Sequence, residues 1–215
     1  MYLPVLILEI IGTVAFSISG ALTGVRKNMD IFGVCILGLT TAVGGGIIRD
    51  LILGITPPAT FVNPIYAIIA IITAAVTFFA VVMKKTVKHY RTAEILMLVM
   101  DSVGLGIFTV VGIRTAFSVM GTENLFLFIF VGVVTGCGGG VLRDLFAGNT
   151  PYIFVKHFYA CASLVGAVLC TVMWKGCGET ASIITGGAVV IALRLCAAKF
   201  RWSLPRPDRF GHRQE

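Results

Sequence analysis

Seven apolar runs, at roughly 3–22, 31–48, 62–83, 95–113, 124–142, 153–174 and 181–198, leave this chain little choice of fold. Each is close to the ~20 residues that a helix needs to cross a bilayer. Hydrocarbon offers the backbone no hydrogen-bond partners, so such segments must satisfy themselves as helices. The expected fold is therefore an all-α polytopic membrane protein. Composition agrees, since 57% hydrophobic residues against 13% charged, with a mean hydropathy of +0.97, lie outside the range of soluble domains. The formal charge of +7 would hint at nucleic acid in a soluble protein. Here the basic residues gather in loops and the tail, where topology accounts for them, and no nucleic-acid partner is expected. The first run has no preceding Lys or Arg and no small-residue cleavage site before Arg26, so it reads as a retained helix.

The string Gly44-Gly45-Gly46-Ile47-Ile48-Arg49-Asp50 closes the second run, and Gly138-Gly139-Gly140-Val141-Leu142-Arg143-Asp144 closes the fifth, 94 residues later. Over Gly44–Pro57 against Gly138–Pro151, nine of fourteen positions are identical. The match extends outward. Glu9, Gly12, Phe16 and Gly20 align with Asp101, Gly104, Phe108 and Gly112 at an offset of 92, and Phe61, Val62 and Tyr66 with Phe154, Val155 and Tyr159 at 93. Whole units are repeated, each of three spans. An odd count forces the second unit to enter from the opposite face. The plan is then two inverted three-helix repeats plus one extra helix (3+3+1), divided as 1–90, 91–176, 177–200 and a basic tail 201–215.

Lys and Arg set the orientation. Arg26 and Lys27 follow the first span, Lys84, Lys85, Lys88 and Arg91 the third, and Arg201, Arg206, Arg209 and Arg213 the seventh. All fall on one side, with mainly Arg114 and Lys175 in loops on the other. The positive-inside rule places the N terminus outside and the C terminus in the cytoplasm. The stretch Lys84–Arg91 also suits contact with anionic membrane lipid.

Three successive glycines each cost a helix interior about 1 kcal/mol relative to alanine. Glycine-broken helices at matching places in two halves point to a substrate or ion path. Close helix packing is the competing reading, and Gly132, Gly136 and Gly140 at four-residue spacing suit it.

In these strings, together with Ala15-Phe16-Ser17-Ile18-Ser19-Gly20 and Met29-Asp30-Ile31-Phe32-Gly33, the chain resembles the trimeric intracellular cation (TRIC) channel family in its prokaryotic branch, also filed as a glycine transporter domain. The resemblance covers essentially the whole chain. It implies seven helices in the 3+3+1 plan, a homotrimer with a pore in each protomer, passive conduction of monovalent cations, potassium above all, and glycine motifs that kink the second and fifth helices around that pore. A prokaryotic cell membrane is the implied location. The lipid-linked lysine and acidic motif of animal members have no counterpart at Gly44–Gly46 or Gly138–Gly140, so lipid gating is not carried over.

The candidate ion-path residues are Gly44, Gly45, Gly46, Gly138, Gly139, Gly140, Arg49, Asp50, Arg143, Asp144, Asp101, Thr41 and Thr135. A charge at membrane depth costs about 2.5–3.5 kcal/mol on insertion scales, so each Arg needs a carboxylate or freed carbonyls. Adjacent helical residues diverge by about 100°, so pairing is expected to run between the repeats. The competing reading for both Arg-Asp pairs is interfacial snorkelling. Glu9 and Asp101 are equivalent carboxylates that could draw cations to a pore mouth, Asp101 being deeper and the stronger candidate. Ser17, Ser19, Thr40, Thr41, Thr109 and Thr135 could coordinate a cation or bond back to their own helices. Tyr66 and Tyr159 read first as packing, and Arg194 as snorkelling to the cytoplasmic surface. Cys35, Cys137, Cys161, Cys170, Cys177 and Cys196 show no CxxC spacing, and His89, His157 and His212 no partner spacing, so neither metal nor cofactor is expected.

No nucleophile and base set or P-loop is present, so the chain does not read as an enzyme. A passive potassium-preferring channel is the leading expectation. The alternative is a carrier for a small zwitterion such as glycine, which would use the same inverted repeats and broken helices.

Overall fold

The computed structural model describes residues 3–83, 90–120, 124–155, 158–200 and 202. Lys84, Lys85, Lys88, His89, His157 and the tail residues Arg201, Arg206, Arg209, His212 and Arg213 lie outside that set. The described chain forms α1 (Leu3–Arg26), α2 (Ile31–Ile52), α3 (Ala59–Val62), α4 (Ile65–Met83), α5 (Tyr90–Met120), α6 (Leu125–Phe146), α7 (Tyr152–Val155) and α8 (Tyr159–Lys199). All but α3 and α7 are long and apolar enough to cross a membrane. On α4, Ile68, Ile72, Val76 and Phe79 are each more than half exposed. A patch of that kind belongs against lipid rather than water. The chain is an all-helical, polytopic integral membrane protein.

The duplicated strings form duplicated turns. Asp30 caps α2 by accepting from the Gly33 amide at 2.7 Å, and Asn124 caps α6 by accepting from the Leu127 amide at 3.0 Å. At the far ends, the amides of Leu53, Gly54 and Ile55 donate to the carbonyls of Arg49, Leu51 and Asp50; those of Ala147, Gly148 and Asn149 donate to Arg143, Leu145 and Asp144. Gly54 (φ 72°) and Gly148 (φ 65°) supply the left-handed residue that such an ending requires. Both turns lead into a short helix, α3 or α7. Hydropathy had merged α7 with the span at 153–174, because an apolar count does not register a chain reversal, and had begun the span at 62–83 on the last residue of α3.

The 41 residues of α8 would extend about 60 Å as a straight helix, twice a hydrocarbon core. Instead it reverses at Gly178 (φ 80°, ψ 168°). Its two halves pack on each other: a Cβ added at Gly186 would lie 2.7 Å from the Cβ of Cys170, and one at Gly166 would lie 2.9 Å from the Gly186 carbonyl. The reversal leaves two halves of about 30 Å each, each long enough to cross a hydrocarbon core. By contrast α5 outruns its expected span of 95–113 and carries Arg114 inside the helix rather than in a loop. The guanidinium donates to Glu179 at 2.6 Å, next to the α8 reversal, which lets a charge sit within the final turns.

α1 and α5 pack through Phe16 and Phe108, whose ring centroids are 5.3 Å apart. Gly12 faces the Phe108 ring and Gly104 faces the Phe16 ring. The paired numbers rise on one helix as they fall on the other, so the two helices run antiparallel.

Candidate functional site: two charged clusters about a glycine crossing

Contrary to the expectation of broken helices, α2 runs as continuous helix through Gly44–Gly46, and α6 through Gly138–Gly140. The glycines serve close approach. A Cβ at Gly45 would strike the carbonyl oxygen of Thr135, and one at Gly139 the carbonyl oxygen of Thr41. Gly44 lies against Leu142, and Gly138 against the α-carbon of Gly45 and the side chain of Ile48. The Gly45–Thr135 contact is mirrored by Gly139–Thr41 and Gly44–Leu142 by Gly138–Ile48, so α2 and α6 cross antiparallel about a local two-fold axis, backbone against backbone. Gly46 differs, since a Cβ there would meet only an Arg49 nitrogen at 3.8 Å.

Thr41 and Thr135 are buried in this crossing. Their hydroxyls donate to the carbonyls of Leu37 and Val131, both at 2.6 Å, rather than standing free as cation ligands. Of the other hydroxyls, Ser17 donates to the Ala70 carbonyl at 2.6 Å, and Thr109 bonds to both the Leu105 carbonyl and Ser163 at 2.7 Å.

The Arg-Asp pairs flank the crossing at opposite ends. Arg49 reaches Asp50 through Nε at 2.8 Å and Nη2 at 2.7 Å, and Arg143 reaches Asp144 through Nε at 2.9 Å. Each Arg thus pairs with its own neighbour, where a pair between repeats had been expected. The reason is length. An Arg side chain can curl along the helix end and present Nε to an adjacent carboxylate, despite the ~100° between their Cα–Cβ bonds. The other carboxylate oxygen pins the short helix that follows, with Asp50 accepting from the Ala59 amide at 2.8 Å and Asp144 from the Tyr152 amide at 2.9 Å.

The two clusters then diverge. Arg143 is fully buried and donates through Nη1 to Asp101 and to Ser19 of α1, the latter at 2.6 Å. Its Cζ sits 4.9 Å from the Tyr152 ring centroid. Arg194, which had been read as reaching the cytoplasmic surface, is 1% exposed. Its Cζ lies 4.8 Å over the Tyr159 ring, and its Nη2 is 3.9 Å from the second oxygen of Asp101. A buried carboxylate stabilises a charge that would otherwise have to climb to water. At the first string, Arg49 keeps 11% side-chain exposure and, among the described residues, pairs with Asp50. The half-buried Glu9, the counterpart of Asp101, instead accepts from the Tyr66 hydroxyl. Tyr66 and Tyr159 therefore belong to the charged clusters as well as to the packing. The fully buried Tyr159 hydroxyl has no hydrogen-bond partner among the described residues.

Sequence reasoning did not single out Tyr152. Its ring and amide both serve the second cluster, yet the first copy has Ala59 at the equivalent amide, so the repeat carried no signal. Ser19 had been named for cation coordination but serves Arg143. Among the described residues no group of His, Cys, Asp and Glu is arranged to hold a metal.

Antiparallel helix pairs about a local two-fold, with buried ionisable groups at either end of the crossing, mark a polytopic membrane protein whose apolar helices hold charge in the interior. The comparisons narrow this. The family model described as "Glycine transporter" matches residues 6–81 and 98–175. A UPF0126 membrane protein of Vibrio cholerae is 34% identical over 93% of this chain and 81% of its own length, and the UPF0126 inner membrane protein YadS of Escherichia coli 34% over 92% and 93%. Among solved structures, a TRIC cation channel superposes with a TM-score of 0.83 at 35% identity, covering 98% of this chain and 100% of its own. The TRIC orthologue from Rhodobacter sphaeroides gives 0.83 at 33%, covering 92% and 98%. The chain belongs to this family, the prokaryotic TRIC branch that the glycine transporter model describes.

Proposed function

We propose that this protein is a passive cation channel, preferring potassium, that works as a homotrimer with one path inside each protomer. The architecture that goes with this reading is 3+3+1: residues 1–90 and 91–176 as inverted three-helix repeats, 177–200 as the extra helix and 201–215 as a cytoplasmic tail. The N terminus faces outward across a prokaryotic cell membrane. The observation that carries the reading is the reciprocal crossing at Gly45 and Gly139, which sets one Arg-Asp cluster toward each face with the glycines between them. Likeness to solved TRIC cation channels along nearly the whole chain supports it. Arg49, Asp50, Arg143, Asp144 and Asp101 set the field along the path, while Gly44–Gly46 and Gly138–Gly140 hold α2 and α6 close enough to define its narrowest part.

Planar-bilayer recording of the purified protein in a potassium chloride gradient tests the reading. Unitary currents reversing near the potassium potential, and unaltered by added glycine, are expected. Silent bilayers together with saturable glycine uptake into liposomes from the same preparation would overturn it.

A further inference from the structure

The two halves of the molecule do not present equivalent carboxylates. Asp101 is fully buried, takes an ion pair from Arg143 and has Arg194 3.9 Å from its other oxygen. With Asp144 included, that cluster holds two acids and two bases. On the opposite face the cluster is Glu9, Arg49 and Asp50, two acids to one base, and the base is engaged with Asp50. Glu9 is half-buried, and among the described residues its partner is the neutral Tyr66 hydroxyl.

The exposure of Glu9 is not exposure to lipid. Seven residues separate it from Phe16, about two helical turns, so the two share a face, and Phe16 is 1% exposed against Phe108. The outward residues of this part of α1 are Ile7 and Ile11, 49% and 46% exposed, each about 200° around the helix from Glu9. The partly open carboxylate lies on the inward face, six residues and about 9 Å into α1 from Leu3, beside Tyr66 at the start of α4.

We infer that Glu9 is the cation-recruiting carboxylate of the path, and that the neutralisation of its twin, Asp101, makes conduction unequal in the two directions. This rests on the channel reading above. A single uncompensated charge at the N-terminal mouth raises the local concentration of monovalent cations there, whereas Asp101, held by its guanidinium, attracts none. Potassium entering from the N-terminal face is gathered; potassium entering from the other face is not.

The test is single-channel recording with the protein oriented by a tag on its tail. It is made in about 0.01 M potassium chloride, where the screening length is roughly 30 Å, and again in about 1 M, where it is roughly 3 Å. Glu9→Gln keeps an acceptor for Tyr66 and removes the charge. It is expected to lower the current entering from the N-terminal face by about two- to threefold in dilute salt, to leave the opposite current unchanged, and to lose its effect in concentrated salt. Tyr66→Phe, which keeps the charge and removes the hydrogen bond, is expected to retain the parental asymmetry. If Glu9→Gln lowers both directions equally, or neither, the inference fails while the channel stands. If the parent passes no unitary current, the channel reading fails and takes the inference with it.

Discussion

Arg143 and Arg49 occupy the same place in a repeated string but not the same environment, and burial decides what each contributes. Arg143 is fully enclosed and bonded to two carboxylates and a hydroxyl. Replacing it by methionine preserves bulk but removes the guanidinium from two buried carboxylates, leaving Asp101 with Arg194 at 3.9 Å and Asp144 with the Tyr152 amide, a loss of about 3–5 kcal/mol by analogy with broken buried pairs. Arg49→Met strands only Asp50, which keeps its bond from the Ala59 amide, beside a site that water partly reaches. Thermal melting in detergent should therefore show a much larger fall for Arg143→Met than for Arg49→Met. Equal falls would mean that the asymmetry of burial does not govern stability here. Much of this chemistry was legible in sequence, since the duplicated Arg-Asp pairs and the equivalence of Glu9 with Asp101 mark the charged residues at both ends. Their pairing was not. Spacing along a helix fixes where Cα–Cβ bonds point, and a side chain with four rotatable bonds can defeat that geometry. Arg194 eluded the sequence for a related reason: hydropathy records its charge but not Asp101, 93 residues away, that holds it in place.

At the scale of the element, the glycine strings carried two messages that sequence could not separate. Glycine weakens a helix and also lets a helix be approached, and three in a row satisfy either account. The four-residue spacing of Gly132, Gly136 and Gly140 was the signal for approach. The structure supplies the reason it prevails, a backbone carbonyl standing where each central Cβ would be. Gly45→Ala and Gly139→Ala should each force α2 and α6 apart, costing about 1–3 kcal/mol as overpacking against an unyielding backbone. Gly46→Ala meets only the far end of an Arg side chain and gains helix propensity, so it should melt at or above the parental temperature. If all three alanine variants melted alike, contact at the crossing would not be what the glycines provide. Apolar length located the crossings well because α1, α2, α4 and α6 hold little else. It placed the Gly178 reversal correctly, in the gap between the runs at 153–174 and 181–198, and failed at α7, where the chain turns within an apolar stretch and the backbone dihedrals that make the turn leave hydropathy unchanged.

For the whole molecule, the reversal at Gly178 ties orientation to a single native thiol. Cys177 is exposed and sits beside the reversal, at the end of α8 opposite Tyr159 and Lys199. Passing along the helices, that end shares a face with the start of α1, whereas the turn at Asn28 lies on the other face with Arg26 and Lys27. If the basic loops are cytoplasmic, a chain retaining Cys177 as its only cysteine should react with a membrane-impermeant maleimide in intact cells. A chain whose only thiol is introduced by Asn28→Cys, at an exposed turn residue with φ 55°, should react only once the membrane is permeabilised. The opposite pattern would invert the topology and with it the face from which Glu9 gathers cations. Labelling of both thiols in intact cells would mean that the chain inserts in two orientations. The count of basic residues argues against that, because Arg26 and Lys27 lie at the same end of the bundle as Lys199, and a second orientation would carry that whole set across the bilayer.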